Sequence, residues 1–238
     1  MKNPAAGGGR WVEVPPERLV SWTAAFTHRH GGGSVSSDEA GSTVTFTAGD
    51  GSAAECHPPF PPLKPFPDGP DPAAAAGLIA AHAVADRRVG VLLVRLGGYA
   101  VGVFTGAPPR LASSKTGRRP VHGRSAAGGW SQQRFARRRE NQAAAALRAA
   151  ADATAGVFGP YGADGLGAVV LGGDKRAIAG LRGDPRVVPY LDRATGRFLT
   201  VPDPRPAVLR DIPSAYLAIR IRLTEPESDF PARAGLVH

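Results

Sequence analysis

The sequence predicts an α/β protein with a mixed β-sheet flanked by helices, preceded by a small N-terminal α+β domain. Three observations carry this. Two apolar, β-rich runs, Val89–Leu96 and Tyr99–Thr105, meet at Gly97-Gly98, a two-residue hairpin signal. A long helix-forming stretch starts at Ser131. A short continuous apolar run, Gly167–Leu171, then reads as a buried strand.

Taken in order, residues 1–9 are rich in Gly and Ala and are expected to form a disordered tail. Arg10–Val14 reads as a strand. Pro15-Pro16 opens a helix to about His28, apolar at Leu19, Val20, Trp22, Ala25 and Phe26. After Gly31-Gly32-Gly33, alternating runs at Ser34–Ser37, Thr43–Thr47 and Ala53–His57 predict a β-meander turning at Asp38–Gly41 and Ala48–Gly51. Residues 10–57 are thus the small domain. Residues 58–71 hold seven prolines and read as an extended linker.

Residues 72–225 then form the larger domain, and 226–238 a C-terminal tail. Pro72 suits the first turn of an Ala-rich helix reaching about Ala85. The hairpin follows, with Arg110–Lys115 as a third strand leading into a basic loop at 116–130. Ser131 is the expected N-cap of a helix to about Ala155, stopped by Gly156. Its apolar face takes Phe135, Ala143, Leu147, Ala150 and Thr154. Gly172-Gly173-Asp174 leads into a helix over Arg176–Leu181, and Arg186–Leu191 and Tyr216–Leu223 complete the strands.

Composition bounds the function. The 238 residues are 42% hydrophobic and 21% charged, as in soluble globular proteins, and suffice for one sizeable core or two small ones. No run approaches the roughly 18 apolar residues of a spanning helix, so no membrane partner is expected. The N-terminus has no apolar segment of the kind that directs secretion. Cys56 is the single cysteine, which excludes an intrachain disulfide and fits a cytoplasmic setting.

The net charge of +9 is local. Arg110, Lys115, Arg118, Arg119, Arg124, Arg134, Arg137, Arg138 and Arg139 lie in one interval that contains no Asp or Glu. The other 20 basic residues balance the 20 acidic ones. Arginine outnumbers lysine 25 to 4, a coding bias that explains the choice of cation but not the exclusion of acids. Such a patch suits a polyanion, nucleic acid first. The plain alternative is a solvated helix face.

Within this interval runs Gly128-Gly129-Trp130-Ser131-Gln132-Gln133-Arg134-Phe135-Ala136-Arg137-Arg138-Arg139. Paired glycines, small neutral polar groups and dense positive charge suit a loop that enters a phosphate-lined space and positions a water there.

From about Val89 to Ala215 the chain resembles the catalytic middle domain of the archaeal and eukaryotic type of class-1 peptide-chain release factors. The shared features are the strand pair, Val121-His122-Gly123-Arg124, Gly128-Gly129, a helix opening at Ser131 and continuing Arg134-Phe135-Ala136-Arg137 to Asn141, and Ala168-Val169-Val170-Leu171-Gly172-Gly173. Those factors keep glutamine directly after the two glycines, where this chain has Trp130. The pattern Gly-Gly-x-Ser-Gln resembles instead the Vms-like branch, which includes an actinobacterial group and frees nascent chains from tRNA on stalled or split large ribosomal subunits.

That resemblance implies a release-factor middle-domain fold and peptidyl-tRNA hydrolase activity. Its catalytic set is Gln132, Gly128, Gly129 and Gln133, with Gln132 the first candidate and Gln133 the second. Trp130 and Ser131 support the loop. Lys115, Arg118, Arg119, Arg124, Arg134, Arg137, Arg138 and Arg139 hold RNA. The implied partners are large-subunit rRNA and peptidyl-tRNA, with no cofactor, no metal and a monomeric chain.

Other chemistries fit less well. Cys56-His57 with His28 and His30 lack the paired spacing of a zinc site. Gly165-Leu166-Gly167 and Gly172-Gly173-Asp174 lack the order of a nucleotide loop, and no Gly-x-Ser-x-Gly elbow occurs. A metal-dependent nuclease needs converging carboxylates, which the runs at 89–96, 99–105 and 167–171 do not contain. A non-catalytic ribosome- or RNA-binding module, using the basic loop for affinity alone, is the alternative to the hydrolase. Nothing in residues 10–57 selects a partner for the small domain.

Overall fold

The computed structural model describes residues 3–4, 8–64, 70–95, 97–118 and 131–226, with backbone alone at 3–4, 131–139 and 196. In chain order the elements are β1 (Asn3–Pro4), β2 (Arg10–Val14), α1 (Leu19–Arg29), β3 (Gly33–Ser37), β4 (Val44–Ala48), β5 (Ala53–His57) and α2 (Pro72–Val84). There follow β6 (Val89–Arg95), β7 (Gly98–Thr105), β8 (Arg110–Arg118), α3 (Ser131–Phe158), β9 (Ala168–Gly173), α4 (Lys175–Gly180), α5 (Val188–Leu191), β10 (Ala194–Leu199), α6 (Pro206–Leu217) and β11 (Ile219–Thr224). The chain divides into two compact units, Met1–Ala83 with Ala218–His238, and Val84–Leu217.

In the first unit the sheet order is β1-β2-β11-β5-β4-β3, antiparallel at every pair. The last strand among the described residues is therefore central. Ile219 and Ile221 stand opposite Val14 and Val12 of β2, and Ile221 and Leu223 opposite Cys56 and Ala54 of β5. Alternation turns Ile219, Ile221 and Leu223 into the core and Arg220 and Arg222 outward. There the Arg220 guanidinium lies 4.1 Å from the Trp11 ring centre, and Arg222 pairs with Glu55. Helices α1 and α2 cover the inner face with Leu19, Phe26, Ala75, Ala76, Ile79 and Ala83.

This corrects the expected division of the chain. Helix α2 and strand β11 belong to the first unit, although sequence order put both in the larger domain. The reason is burial: without β11 the sheet would fall into β1-β2 and β5-β4-β3, and Val14, Ala54 and Cys56 would lose the apolar strand that pairs them on both sides. The 58–71 stretch is also not a free linker where it is described. Phe60 and Leu63 are buried, the Phe60 carbonyl accepts from His82 Nε2 at 3.0 Å, and Leu63 N–H donates to the Gly41 carbonyl at 2.8 Å. In the expected N-terminal tail, Asn3–Pro4 pairs with β2. Most of the expected C-terminal tail, 227–238, lies outside the described residues.

The loop between β4 and β5 is pinned by one carboxylate. Asp50 Oδ2 lies 2.7 Å from His30 Nδ1, and Asp50 Oδ1 accepts from the Ser52 N–H at 2.8 Å. These bonds, that of His30 first, hold the Asp50 carboxyl down at about 2. A carboxyl depressed on folding stabilises the native state above its unfolded value, near 4, and loses that contribution as pH falls towards 2. Asp50→Asn should therefore destabilise the first unit above pH about 4, and the two proteins should converge only below pH about 2. Urea unfolding across that range, followed by circular dichroism, checks this.

The second unit carries a five-stranded mixed sheet in the order β10-β9-β6-β7-β8. Strands β10, β9 and β6 run parallel, and β7 and β8 antiparallel. Its fold class is the expected one, an α/β sheet flanked by helices. Strands β6 and β7 are buried along almost their whole length, so both faces are covered. Leu92, Val101, Val103 and Val169 pack with Ala150, Ala153, Val157 and Phe158 of α3. Leu209 of α6 approaches Gly102, and Tyr216 meets Phe104 edge-on at 6.0 Å.

Three local readings differ from expectation. Helix α3 runs through Gly156 to Phe158, because Val157 and Phe158 are core residues whose burial outweighs the roughly 1 kcal/mol helix penalty of glycine. The stop falls at Gly162, whose φ of +68° suits glycine. Residues 188–191 form α5 rather than a strand, with Pro189 in its first turn and Tyr190 and Leu191 buried. Residues 206–217, partly read as strand, form α6 despite Pro213, since Leu209, Ile212 and Tyr216 fall on one buried face. Strand β10 had no signal in the sequence reading.

Candidate functional site

The site is framed by the β7–β8 hairpin and the start of α3. Strand β8 is an edge of the five-stranded sheet, pairing Gly98–Thr105 with Arg110–Arg118. Opposite residues of an antiparallel pair share a face. Lys115 stands opposite Val101, on the face that α3 covers, and Thr116 opposite Ala100 on the other. Gly117 lies under the Tyr99 ring, where a Cβ would come within 2.4 Å of the phenol oxygen. Tyr99 therefore closes over the last turn of the strand, just before the chain leaves the sheet.

The structure separates the two described members of the predicted RNA-binding set. Lys115 is exposed and makes no salt bridge among the described residues. Arg118 reaches Asp203 at 3.3 Å, and the same carboxylate takes Arg205 at 3.5 Å. Asp203, in the loop before α6, was missed by the sequence reading. The acid-free interval acquires an acid only through folding, and a partner 85 positions away leaves no local signal.

Arg119, Arg124, Gly128, Gly129 and Trp130 lie outside the described residues. Ser131 is the first residue of α3, followed by Gln132 and Gln133. Arg134, Arg137, Arg138 and Arg139 occupy the next turns, where the backbone alone is described. The first turn contains no acidic residue. Acids are the residues that a helix N-terminus favours, whereas cations there oppose the macrodipole. Arg134, at the end of the first turn, thus opposes the macrodipole, while Arg137, Arg138 and Arg139 lie beyond its reach. A row of arginines closing an interval without acids suits an external polyanion.

What anchors α3 is its C-terminal half. Ala146, Ala150, Ala151, Ala153 and Thr154 are buried, and the Thr154 hydroxyl donates to the Ala150 carbonyl at 2.8 Å. Gly90 of β6 leaves room for Phe158, whose ring carbon would sit 3.0 Å from a Cβ there. The result is a long helix packed along β7 and β8, whose arginine-bearing start follows the 119–130 segment in the chain.

The remaining titratable clusters do not assemble a second catalytic centre. The Cys56 thiol is buried, and desolvation pushes its pKa well up, which makes it unreactive. Asp50 and Ser52 both approach the same nitrogen of His30, at 2.7 and 3.2 Å, so the trio cannot relay a proton from the serine. His57 pairs with Glu55 at 2.8 Å. Among the described residues no group of three or more His, Cys, Asp or Glu is placed to hold a metal, and no helix is long and apolar enough to cross a membrane.

A mixed sheet with a basic edge strand, a Gly-Gly loop sequence and a long helix starting Ser-Gln-Gln defines an α/β domain of the release-factor middle-domain type. Residues 87–222, more than half of the chain, match the family model described as Actinobacteria/chloroflexi VLRF1 release factor, and the chain belongs to that family. The match ends inside β11, the strand that lies in the other unit's sheet. No curated protein matches the chain. Membership of a release-factor family places its function in translation.

Proposed function

We propose that this protein is a peptidyl-tRNA hydrolase that releases nascent chains on stalled or split large ribosomal subunits. The observation that carries the reading is the family match spanning the Gly128-Gly129-Trp130-Ser131-Gln132 segment, which joins the basic strand β8 to the arginine-bearing start of α3. Peptidyl-tRNA is an ester. The oxygen of water bonds to the carbonyl carbon, the bond to the ribose oxygen breaks, and a water proton ends on that oxygen. The products are a free peptide acid and tRNA with its hydroxyl restored.

In this reading Gln132, with Gln133 as the second candidate, places the water through its side-chain oxygen. Backbone N–H groups beside the glycines receive the developing oxyanion. A neutral amide suits the place, since a carboxylate would be repelled by the phosphates around it. Lys115 and the arginines hold rRNA and tRNA phosphates by charge-assisted hydrogen bonds. The chemistry needs no cofactor, and the chain acts as a monomer in the cytoplasm.

The direct test incubates purified protein with stalled large-subunit peptidyl-tRNA complexes and follows loss of the tRNA-linked peptide band. Release on the time scale of an active control factor is expected. Binding without release would instead make the protein a ribosome-binding module.

Salt dependence tests the docking role separately. Lys115→Ala should flatten the plot of log affinity against log salt by roughly 0.7–0.9 for the phosphate it gives up. Arg118→Ala should flatten it less, because Asp203 already holds that guanidinium at 3.3 Å. Equal slopes for the two variants would count against Asp203 as a competitor for Arg118. Sedimentation binding to large subunits at several salt concentrations gives the slopes.

A further inference from the structure

The two sheets have four edge strands among the described residues: β1, β3, β8 and β10. Exposed edges invite pairing with other chains, and proteins blunt them with short length, proline, bulges or charge. Three of the four are blunted. Strand β1 is two residues long and ends in Pro4. Strand β8 has a register shift against β7 and carries Arg110, Lys115 and Arg118. Strand β10 shifts register against β9 and carries Arg197.

Strand β3 has none of these. Its sequence, Gly33-Ser34-Val35-Ser36-Ser37, has no charge and no proline, and its register with β4 is unbroken from Gly33↔Ala48 to Ser37↔Val44. Asp38 N–H donates to the Thr43 carbonyl at 3.2 Å, which fixes the phase of the ladder. By alternation Ser34 and Ser36 bond to β4, while Gly33, Val35 and Ser37 turn their N–H and C=O groups to the free side. All but Val35 are exposed.

At the Ser37 end the edge runs into an open pocket of about 610 Å³ with Ala40, Val44, Pro62 and Leu63 in its wall. Asp38 and Glu39 line it with a single cation, Lys64. A regular free ladder, an adjoining apolar pocket and a net acidic rim are the three parts of a strand-accepting site.

We propose that the edge of β3 accepts an extended strand from a partner protein, with one apolar side chain in the Ala40–Leu63 pocket and a basic residue against Asp38 and Glu39. The occupant is a heterologous strand rather than a second copy. A second copy pairing through β3 would bring no cation to that rim, because Gly33–Gly41 contains no Lys or Arg. This proposal stands independently of the hydrolase reading, since it uses the first unit alone.

The test uses the full chain and a soluble fluorescent probe peptide, an alternating valine–threonine run closed by a leucine and two lysines. Saturable binding is expected by anisotropy, with slowed amide exchange at Val35 and Ser37. Ser37→Pro removes an outward N–H while sparing the β3–β4 bonds, and should weaken binding about tenfold. A probe N-methylated at alternate peptide nitrogens asks the same of the unaltered chain and should also lose about tenfold. Exchanging the probe's lysines for glutamates should weaken it further.

Undiminished binding of the methylated probe would overturn the proposal. So would no binding of any probe, or self-association of the chain that Ser37→Pro abolishes, which would assign the edge to a second copy.

Discussion

With Gln132 replaced by alanine, release of peptide from tRNA is expected to fall by about 10²–10³-fold, the usual loss when one preorganised polar group is removed from a reacting centre. Binding to large subunits should change by no more than about twofold, since affinity rests mainly on phosphate contacts. Gln132→Glu is the sharper variant. It keeps the size and shape of the side chain, but adds a negative charge in a place set among phosphates. A loss as large as that of alanine would tie the role to a neutral amide, and retention of activity would refute it. Gln133→Ala decides which of the adjacent amides acts. If release persists with both replaced, the catalytic assignment fails and the ribosome-binding alternative stands. Single-turnover release at saturating enzyme separates these outcomes from weakened docking.

The second large effect is on folding. Ile221→Ala is expected to destabilise the first unit by about 2–5 kcal/mol, the cost of truncating a fully buried isoleucine. Ile221 stands opposite Val12 of β2 and Cys56 of β5, so the loss falls on the strand that joins the two halves of the six-stranded sheet. Hydrogen exchange should show lost protection in β2, β4 and β5, more than 160 positions before the substituted residue. Lost protection confined to 84–217 would contradict the assignment of β11 to the first unit. Thermal unfolding of the intact chain supplies the midpoint shift.

Much of the fold was legible in the sequence. The β-meander of 33–57 and the hairpin of 89–105 follow from alternation and from Gly or Asp turns, which act over a few residues, although Gly98, expected in the hairpin turn, pairs with Arg95 as the first residue of β7. The α2 helix follows from Pro72 and its run of alanines. The proposed loop motif rests on the sequence alone, since glycines, glutamines and arginines carry their chemistry in their types and residues 119–130 lie outside the described ones.

The misreadings share a cause. Val187, Val188, Tyr190 and Leu191 form a short apolar run that suits a strand or a helix equally, and burial beside α3 and β9 settled it as α5. Pro213 hid α6 for a similar reason: the loss of one N–H is local, while the packing of Leu209, Ile212 and Tyr216 is not. Gly156 has a stop signal's identity but sits before two core residues.

For this protein the sequence by itself determined the fold class, the release-factor family and the segment that carries the proposed chemistry. Each is written in short-range patterns: periodicity, turn residues and a contiguous motif. Only the tertiary structure decided that β11 completes the first unit's sheet, that Asp203 takes up Arg118 while Lys115 remains exposed, and that β3 alone among the described edges is undefended. Those facts depend on residues far apart in the chain, and their pairing is fixed by burial and by cross-strand hydrogen bonds.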